Sequence, residues 1–354
     1  MDADLVIRGG TVVDGTGAPG YRADVAVRRG AITEIGERLD GRRVLEADGH
    51  IVAPGFLDIH THYDAQVFWD PELSPSSWHG VTSVVAGNCG FSIAPCREEH
   101  RDLIARTLHH VEDMSVPTLK AGIPWDFATF PEYLASVERH GTVVNFTAYI
   151  GHTALRLFVM GDEAYEREAA TDDELARMAA AVREAVEAGS AGFSTTAAPT
   201  HSGDGGRPVP SRLSDLREFE TLITPLGQLG QGIVEVTPGG AWPTQDLADI
   251  QLRTGVPITW TALLTRKGST YLEDVLAQHA RGIAAGARVW PQITVRPLTF
   301  RMTMADPFVF NMRPSFAALM DRPLEARLAA FGDPAWREQA LSELEDSDRF
   351  FHPD

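Results

Sequence analysis

The chain has 354 residues, with 31 Lys+Arg against 49 Asp+Glu and a formal charge of −18. That length can bury a large core, and an apolar fraction of 44% with 22 prolines reads as globular protein. The acidic balance argues against a nucleic-acid groove or an anionic membrane surface as the main partner, and no apolar run approaches the roughly 18–20 residues of a spanning helix. The opening Met1-Asp2-Ala3-Asp4-Leu5 lacks the basic and apolar regions of a signal peptide. With only Cys89 and Cys96 available for a bridge, a reducing cytoplasm is the expected compartment.

Short strand signals crowd the first 55 residues: Leu5–Ile7, Thr11–Val13, Asp24–Val27, Ile32–Ile35, Arg43–Leu45 and His50–Val52, separated by Gly-Gly, Asp-Gly and Arg-Gly turns. They predict an antiparallel meander of hairpins, too small to stand alone. From Pro54-Gly55 the pattern changes to apolar strand-like runs alternating with longer helical stretches. The runs are Gly55–His62, Val81–Gly87, Thr142–Ile150, Ala191–Thr195, Gly232–Val236, Val256–Ala262 and Ala287–Thr294. Between them, Asp173–Ala188 carries Leu175, Met178, Ala179, Val182 and Val186 at helical spacing behind a Thr171–Glu174 capping box, and Tyr271–Ala285 is a similar helix. Alternating β and α units predict parallel strands with crossover helices. The expected fold class is α/β, a (β/α)8 TIM-type barrel, with a doubly wound open sheet as the alternative; no Gly-rich phosphate loop supports the latter. The strand count stops at seven of eight. Beyond Thr294 the chain turns Pro- and Met-rich, then helical over 323–330 and 334–344, and Phe350–Asp354 does not read as a strand. The expected division is a β-sandwich part over 1–54, a barrel over 55–300 and a helical tail over 301–354.

The sharpest motif is Gly55-Phe56-Leu57-Asp58-Ile59-His60-Thr61-His62. On a strand, residues two apart share a face roughly 6–7 Å from one another. Asp58, His60 and His62 then point one way, and two imidazoles at the end of a buried strand can chelate one divalent ion. The plain alternative is two solvent-facing histidines in a loop. Cys89, in Ala86-Gly87-Asn88-Cys89-Gly90, follows the second strand and suits a thiolate ligand at the same rim, although a lone Cys also serves as a small buried hydrophobe. Cys96 reads as structural. His152 closes the third strand, where functional groups sit in barrels, or is a core or capping histidine. His201 lies in the Gly-rich loop after the fourth strand, a substrate lid or a flexible connection. Glu235 interrupts the apolar run Ile233–Val236 and needs a metal or an Arg as partner. No nucleophile elbow is present, since Gly192-Phe193-Ser194-Thr195-Thr196 lacks the glycine after the serine.

The start Leu5–Gly15, the stretch Ala53–His62, and the further runs His62-Tyr63-Asp64, Gly87–Phe91, Gly151–Arg156 and Gly192–Thr195 resemble the amidohydrolase superfamily, in its D-aminoacylase or N-acyl-D-amino-acid deacylase branch. The resemblance implies a metal-bearing barrel with a small β-sandwich, and metal-dependent hydrolysis of a small-molecule linear amide. It implies zinc, as one or two divalent ions, held by His60, His62 and Cys89. From their places at strand ends and in the loop, His152, His201 and Glu235 are expected toward the substrate. Two departures stand out. Glu235-Val236-Thr237-Pro238 and Thr259-Trp260-Thr261-Ala262 occupy places where family members put histidines. The eighth strand, with the family's proton-transferring aspartate, does not follow. A second polypeptide completing barrel and sandwich is therefore expected; a truncated fragment or a degenerate homologue would also lack that strand. A cyclic-amide hydrolase of the hydantoinase or dihydropyrimidinase kind is the alternative enzyme, disfavoured because no Lys lies in Ala191–Thr196. The non-enzyme alternative is a structural or regulatory subunit.

Overall fold

The computed structural model describes residues 3–112, 114–203, 206–239, 244–264, 270–297, 303–304, 310, 313–319 and 322–345. Its chain divides into two compact units: Met1–Leu57 with Gly80–Ser83, and Asp58–His79 with Val84–Asp354. None of the helices is long and apolar enough to cross a membrane among the described residues.

The first unit is built on β1 (Leu5–Val12), β2 (Tyr21–Arg28), β3 (Ala31–Gly36), β4 (Val44–Glu46) and β5 (Ile51–Val52). β1, β2 and β3 pair antiparallel as the turns predict. The expected meander fails beyond them. β4 and β5 both lie parallel to β1, giving the order β3-β2-β1-β4 with β5 also on β1. The first two strand signals are one strand, because the register shift between Ile7 and Gly10 absorbs Gly-Gly as a bulge. Two small apolar clusters fill this unit, Ala3, Val6 and Ala26 in one and Val12, Ala23 and Val25 in the other. Gly55 immediately precedes the next strand, and a Cβ there would lie 2.1 Å from the Thr82 hydroxyl, so only glycine lets these two segments meet.

The second sheet has seven parallel strands: β6 (Phe56–Asp58), β7 (Val81–Ala86), β8 (Asn145–Gly151), β9 (Gly192–Thr196), β10 (Ile233–Thr237), β11 (Ile258–Trp260) and β12 (Val289–Pro291). They follow one another in sequence order from β6 to β12, seven strands of a (β/α)8 barrel. Each overlaps a run anticipated from sequence, with β8, β9 and β10 extending one residue past it. Crossover helices separate them, among them Phe130–His140, Asp172–Glu187, Leu216–Leu229, Thr244–Thr254 and Tyr271–Ala284. β9 is buried at every residue and β11 likewise, as parallel strands covered on both faces should be. The HxH segment departs from expectation: β6 stops at Asp58, so His60 and His62 lie just past the strand. Beyond β12 the chain forms helices Leu324–Gly332 and Pro334–Glu345, close to the predicted bounds. The Phe350–Asp354 segment lies outside the described residues.

Candidate metal centre

The polar residues that converge sit just past strand C-termini or in the last turns of strands, the rim where barrels carry their chemistry. His60 and His62 follow β6. Between them, Thr61 is tied to β7: its backbone N–H donates to the Val85 carbonyl at 3.1 Å and its hydroxyl donates to the same oxygen at 2.9 Å. This anchor keeps the two-residue spacing past the end of the strand. The imidazole centroids stand 5.5 Å apart, edge to face. His60 Nε2 lies 3.3 Å from Cys89 Sγ, and its Nδ1 contacts Gln292 Oε1 at 2.6 Å, just past β12. One donor atom from each of His60, His62 and Cys89 lies within 4.8 Å of the others.

Cys89 is held by a tightly clamped turn. Gly87 and Gly90 adopt φ of +74° and +75° around it, and Cys89 itself sits at +57°. A Cβ on Gly87 would come within 2.3 Å of the Tyr149 carbonyl oxygen, so glycine lets β8 approach. Asn88 donates through Nδ2 to the carbonyls of Thr61 and Val85 at 3.2 and 2.9 Å. The Gly90 amide donates to Ser194 Oγ at 3.0 Å, and the Cys89 amide to Glu235 Oε2 at 2.7 Å. The short motif is thus fastened to β7, β9 and β10 at once.

Electrostatics single out this place. Burial pushes the His60 imidazole below its ordinary value and His62 well below it, so both rings are neutral, the form a metal binds. Burial raises the Cys89 thiol well above its usual range, and the nearby Glu235 and Glu112 carboxylates add to the shift. Asp64 is raised by burial to about 7 although the Gly87 amide donates to it at 2.9 Å. Glu112 is raised by burial and by Asp64 to about 8, and Glu235 by burial to about 8. Three carboxylates therefore lack cationic compensation: among the described residues no Lys or Arg pairs with them, and His62 is the only ion-pair contact of Glu112. His62 Nδ1, Asp64 Oδ1 and Glu235 Oε1 are buried without a hydrogen-bond partner. Two neutral imidazoles, a thiol and unpaired acceptors form a donor set that a divalent zinc-group ion satisfies.

The other anticipated residues fall at different depths. Glu235 is fully buried beside Cys89 and accepts from its backbone amide; of the two expected partners, a metal or an Arg, no Arg pairs with it among the described residues. His201 bonds Thr196 Oγ1 through Nδ1 at 2.8 Å and packs edge-on against Phe91. Burial, with the charges of Arg212 and His60, lowers it to about 3. Asp204 and Gly205 of its loop lie outside the described residues. His152 is wholly buried, with Nδ1 on Thr195 Oγ1 at 2.8 Å and Nε2 on Glu218 Oε1 at 2.7 Å. It meets the rim through Thr195. Cys96 is a buried free thiol that donates to the Arg97 carbonyl at 3.2 Å. Sequence reasoning missed Asp64, Glu112 and Gln292. Asp64 stands two residues past His62 and was within reach of the same alternation.

A model of the amidohydrolase family matches residues 43–346. The chain is 39% identical over 207 residues to the N-acyl-D-aspartate deacylase of Alcaligenes xylosoxydans xylosoxydans, an overlap of 56% of this chain and 39% of the relative. Against the D-aminoacylase of the same organism it is 37% identical over 196 residues, 55% of this chain and 38% of that protein. The structure is similar to that of the N-acyl-D-glutamate deacylase of Bordetella bronchiseptica, which is complexed with zinc and a phosphonate inhibitor, with TM-score 0.68 and 29% identity over 84% of this chain and 59% of that one. The chain thus spans well under half the length of the two sequence relatives.

Proposed function

The chain belongs to the amidohydrolase family, and on that premise we propose that it carries the metal-binding face of a hydrolase for linear amides, with N-acyl-D-amino acids as substrates. The observation that carries the reading is the convergence of His60, His62 and Cys89 donor atoms within 4.8 Å of one another at the C-terminal rim of a parallel barrel sheet. The similarity to deacylases supports the substrate class, because these relatives act on acylated D-amino acids by name.

His60, His62 and Cys89 would hold zinc, one ion being the number three converging donors accommodate. A divalent ion there supplies Lewis-acid polarisation of the amide carbonyl and makes water acidic enough to attack near neutral pH. Gln292 accepts from His60 Nδ1–H and leaves Nε2 facing the thiol, which fixes the ring for binding. His201 and the unpartnered Oε1 of Glu235 are assigned to the substrate. His152 serves by holding the Thr195 hydroxyl at the end of β9. A second polypeptide completing the barrel is part of the proposal. It is supported by the two ends of the seven-strand order, β6 and β12, which have no further strand beside them among the described residues. The free thiols of Cys89 and Cys96 suit the reducing cytoplasm.

Metal analysis tests this reading. Protein purified without chelator should carry about one equivalent of zinc-group metal, and His60→Ala should lose it. Hydrolysis of N-acetyl-D-amino acids should appear with metal and with the completing polypeptide. A protein free of such metal, or a His60→Ala form that keeps it in full, would sink the proposal.

A further inference from the structure

Glu112 is a half-buried carboxylate whose side chain meets the His62 ring, and no task has been assigned to it. It ends the helix Arg101–Glu112. Its Oε1 lies 3.3 Å from His62 Nε2, with the two side chains 19% and 17% exposed. The pair is close but is not an aligned N–H···O hydrogen bond, which requires the hydrogen to point at the oxygen. Two donor atoms side by side, neither aimed at the other, are what co-ligands of one cation present. His60 Nε2 and Cys89 Sγ stand at the same 3.3 Å separation, there as a hydrogen-bonded pair.

Charge leads to the same conclusion. A half-buried carboxylate with no Lys or Arg paired to it among the described residues is best satisfied when a cation joins it. Two neutral imidazoles, one thiolate and one carboxylate carry two negative charges between them, the number that neutralises a divalent ion. Glu112 stands outside the group whose donors all fall within 4.8 Å and meets it at His62.

We propose that Glu112 is a ligand of the bound ion, adding a carboxylate oxygen on the His62 side of the His60–His62–Cys89 group. The inference rests on the reading of that group as a metal centre, and the readouts separate the two. Cobalt(II) is loaded into the full chain, its affinity is measured by chelator competition, and its visible d–d bands are recorded for wild type, Glu112→Gln and Glu112→Asp. The expected result is an affinity loss of at least about 10-fold in Glu112→Gln, with shifted d–d bands and partial recovery of both in Glu112→Asp. Unchanged affinity overturns the proposal. So does weakened affinity with unchanged bands, since Glu112 would then only orient His62. Wild type that binds no cobalt defeats the metal centre itself. If the variants fail to fold, the infrared difference spectrum of wild type with and without metal decides: carboxylate stretching bands should move on binding, and their staying in place overturns the assignment.

Discussion

Cys89 adopts a φ of +57°, a conformation that costs a non-glycine residue about 1–2 kcal/mol. The strain is borne because the flanking turn is bolted to three strands, so the thiol is delivered to His60 by backbone geometry. Gly87 is the residue on which that delivery depends. Gly87→Ala puts a methyl 2.3 Å from the Tyr149 carbonyl oxygen at a φ of +74°, and neither backbone can yield cheaply. Gly286 makes the control, with a φ of +88° and nothing within 4 Å of the added methyl. Urea denaturation should show a loss of about 3 kcal/mol for Gly87→Ala and about 1 kcal/mol for Gly286→Ala. Metal content should drop in the first alone; equal losses in both would refute the close approach as the cause. The Gly87-Asn88-Cys89-Gly90 signal was visible in the sequence because turn glycines leave a local mark. Glu112 and Gln292 were not, since each lies in a stretch that also reads as ordinary helix end or strand end, and only the fold brings them to His62 and His60.

At the scale of elements, the helix Asp172–Glu187 shows what local sequence can specify. Thr171 and Glu174 form a reciprocal capping box, and Glu174 also takes a two-pronged contact from Arg167 at 2.8 and 2.5 Å. The Arg167 hydrogen bonds, ahead of those from Thr171, depress Glu174 to about 2. A depressed carboxylate favours the native state while it is ionised. Its contribution is present above the unfolded value near 4.5 and is lost as pH falls from there toward 2. Glu174→Gln should therefore narrow the gap between stability at pH 6 and at pH 3, measured by denaturant midpoint, and Thr171→Ala should cost about 1 kcal/mol at pH 6. An unaltered pH dependence in Glu174→Gln would count against the coupling. The seven barrel strands were legible for the same reason, apolar runs of strand length between helical periods. Strand direction was not. β4 and β5 lie parallel to β1 by a pairing with residues 38 and 40 positions away, which no local turn signal encodes. Nor could periodicity show that β6 ends at Asp58, because the alternation continues through His62 on the strength of the Thr61 anchor.

For the molecule as a whole, the notable feature is how much apolar surface stands at the two ends of the seven-strand order. Phe56 is 64% exposed and Ile59 47% at the β6 end, while Trp290 is 46% and Ile293 68% exposed at the β12 end. A parallel sheet is normally covered, and an open strand edge bearing large apolar side chains is a template for pairing with another chain. The acidic charge of −18 opposes that association through long-range repulsion, which salt screens over about 10 Å at 0.1 M. Apolar attraction is not screened in this way, so raising salt should tip the balance toward association. Light scattering coupled to size-exclusion chromatography should then show the chain alone growing in mean mass with concentration, more so at 0.5 M salt than at 0.05 M. Ile59→Lys with Ile293→Lys should suppress the growth, since a charge on each edge disfavours pairing. A chain that stays monodisperse at every salt and concentration would mean that these edges are satisfied within a single copy, and the case for a completing polypeptide would lose its physical ground.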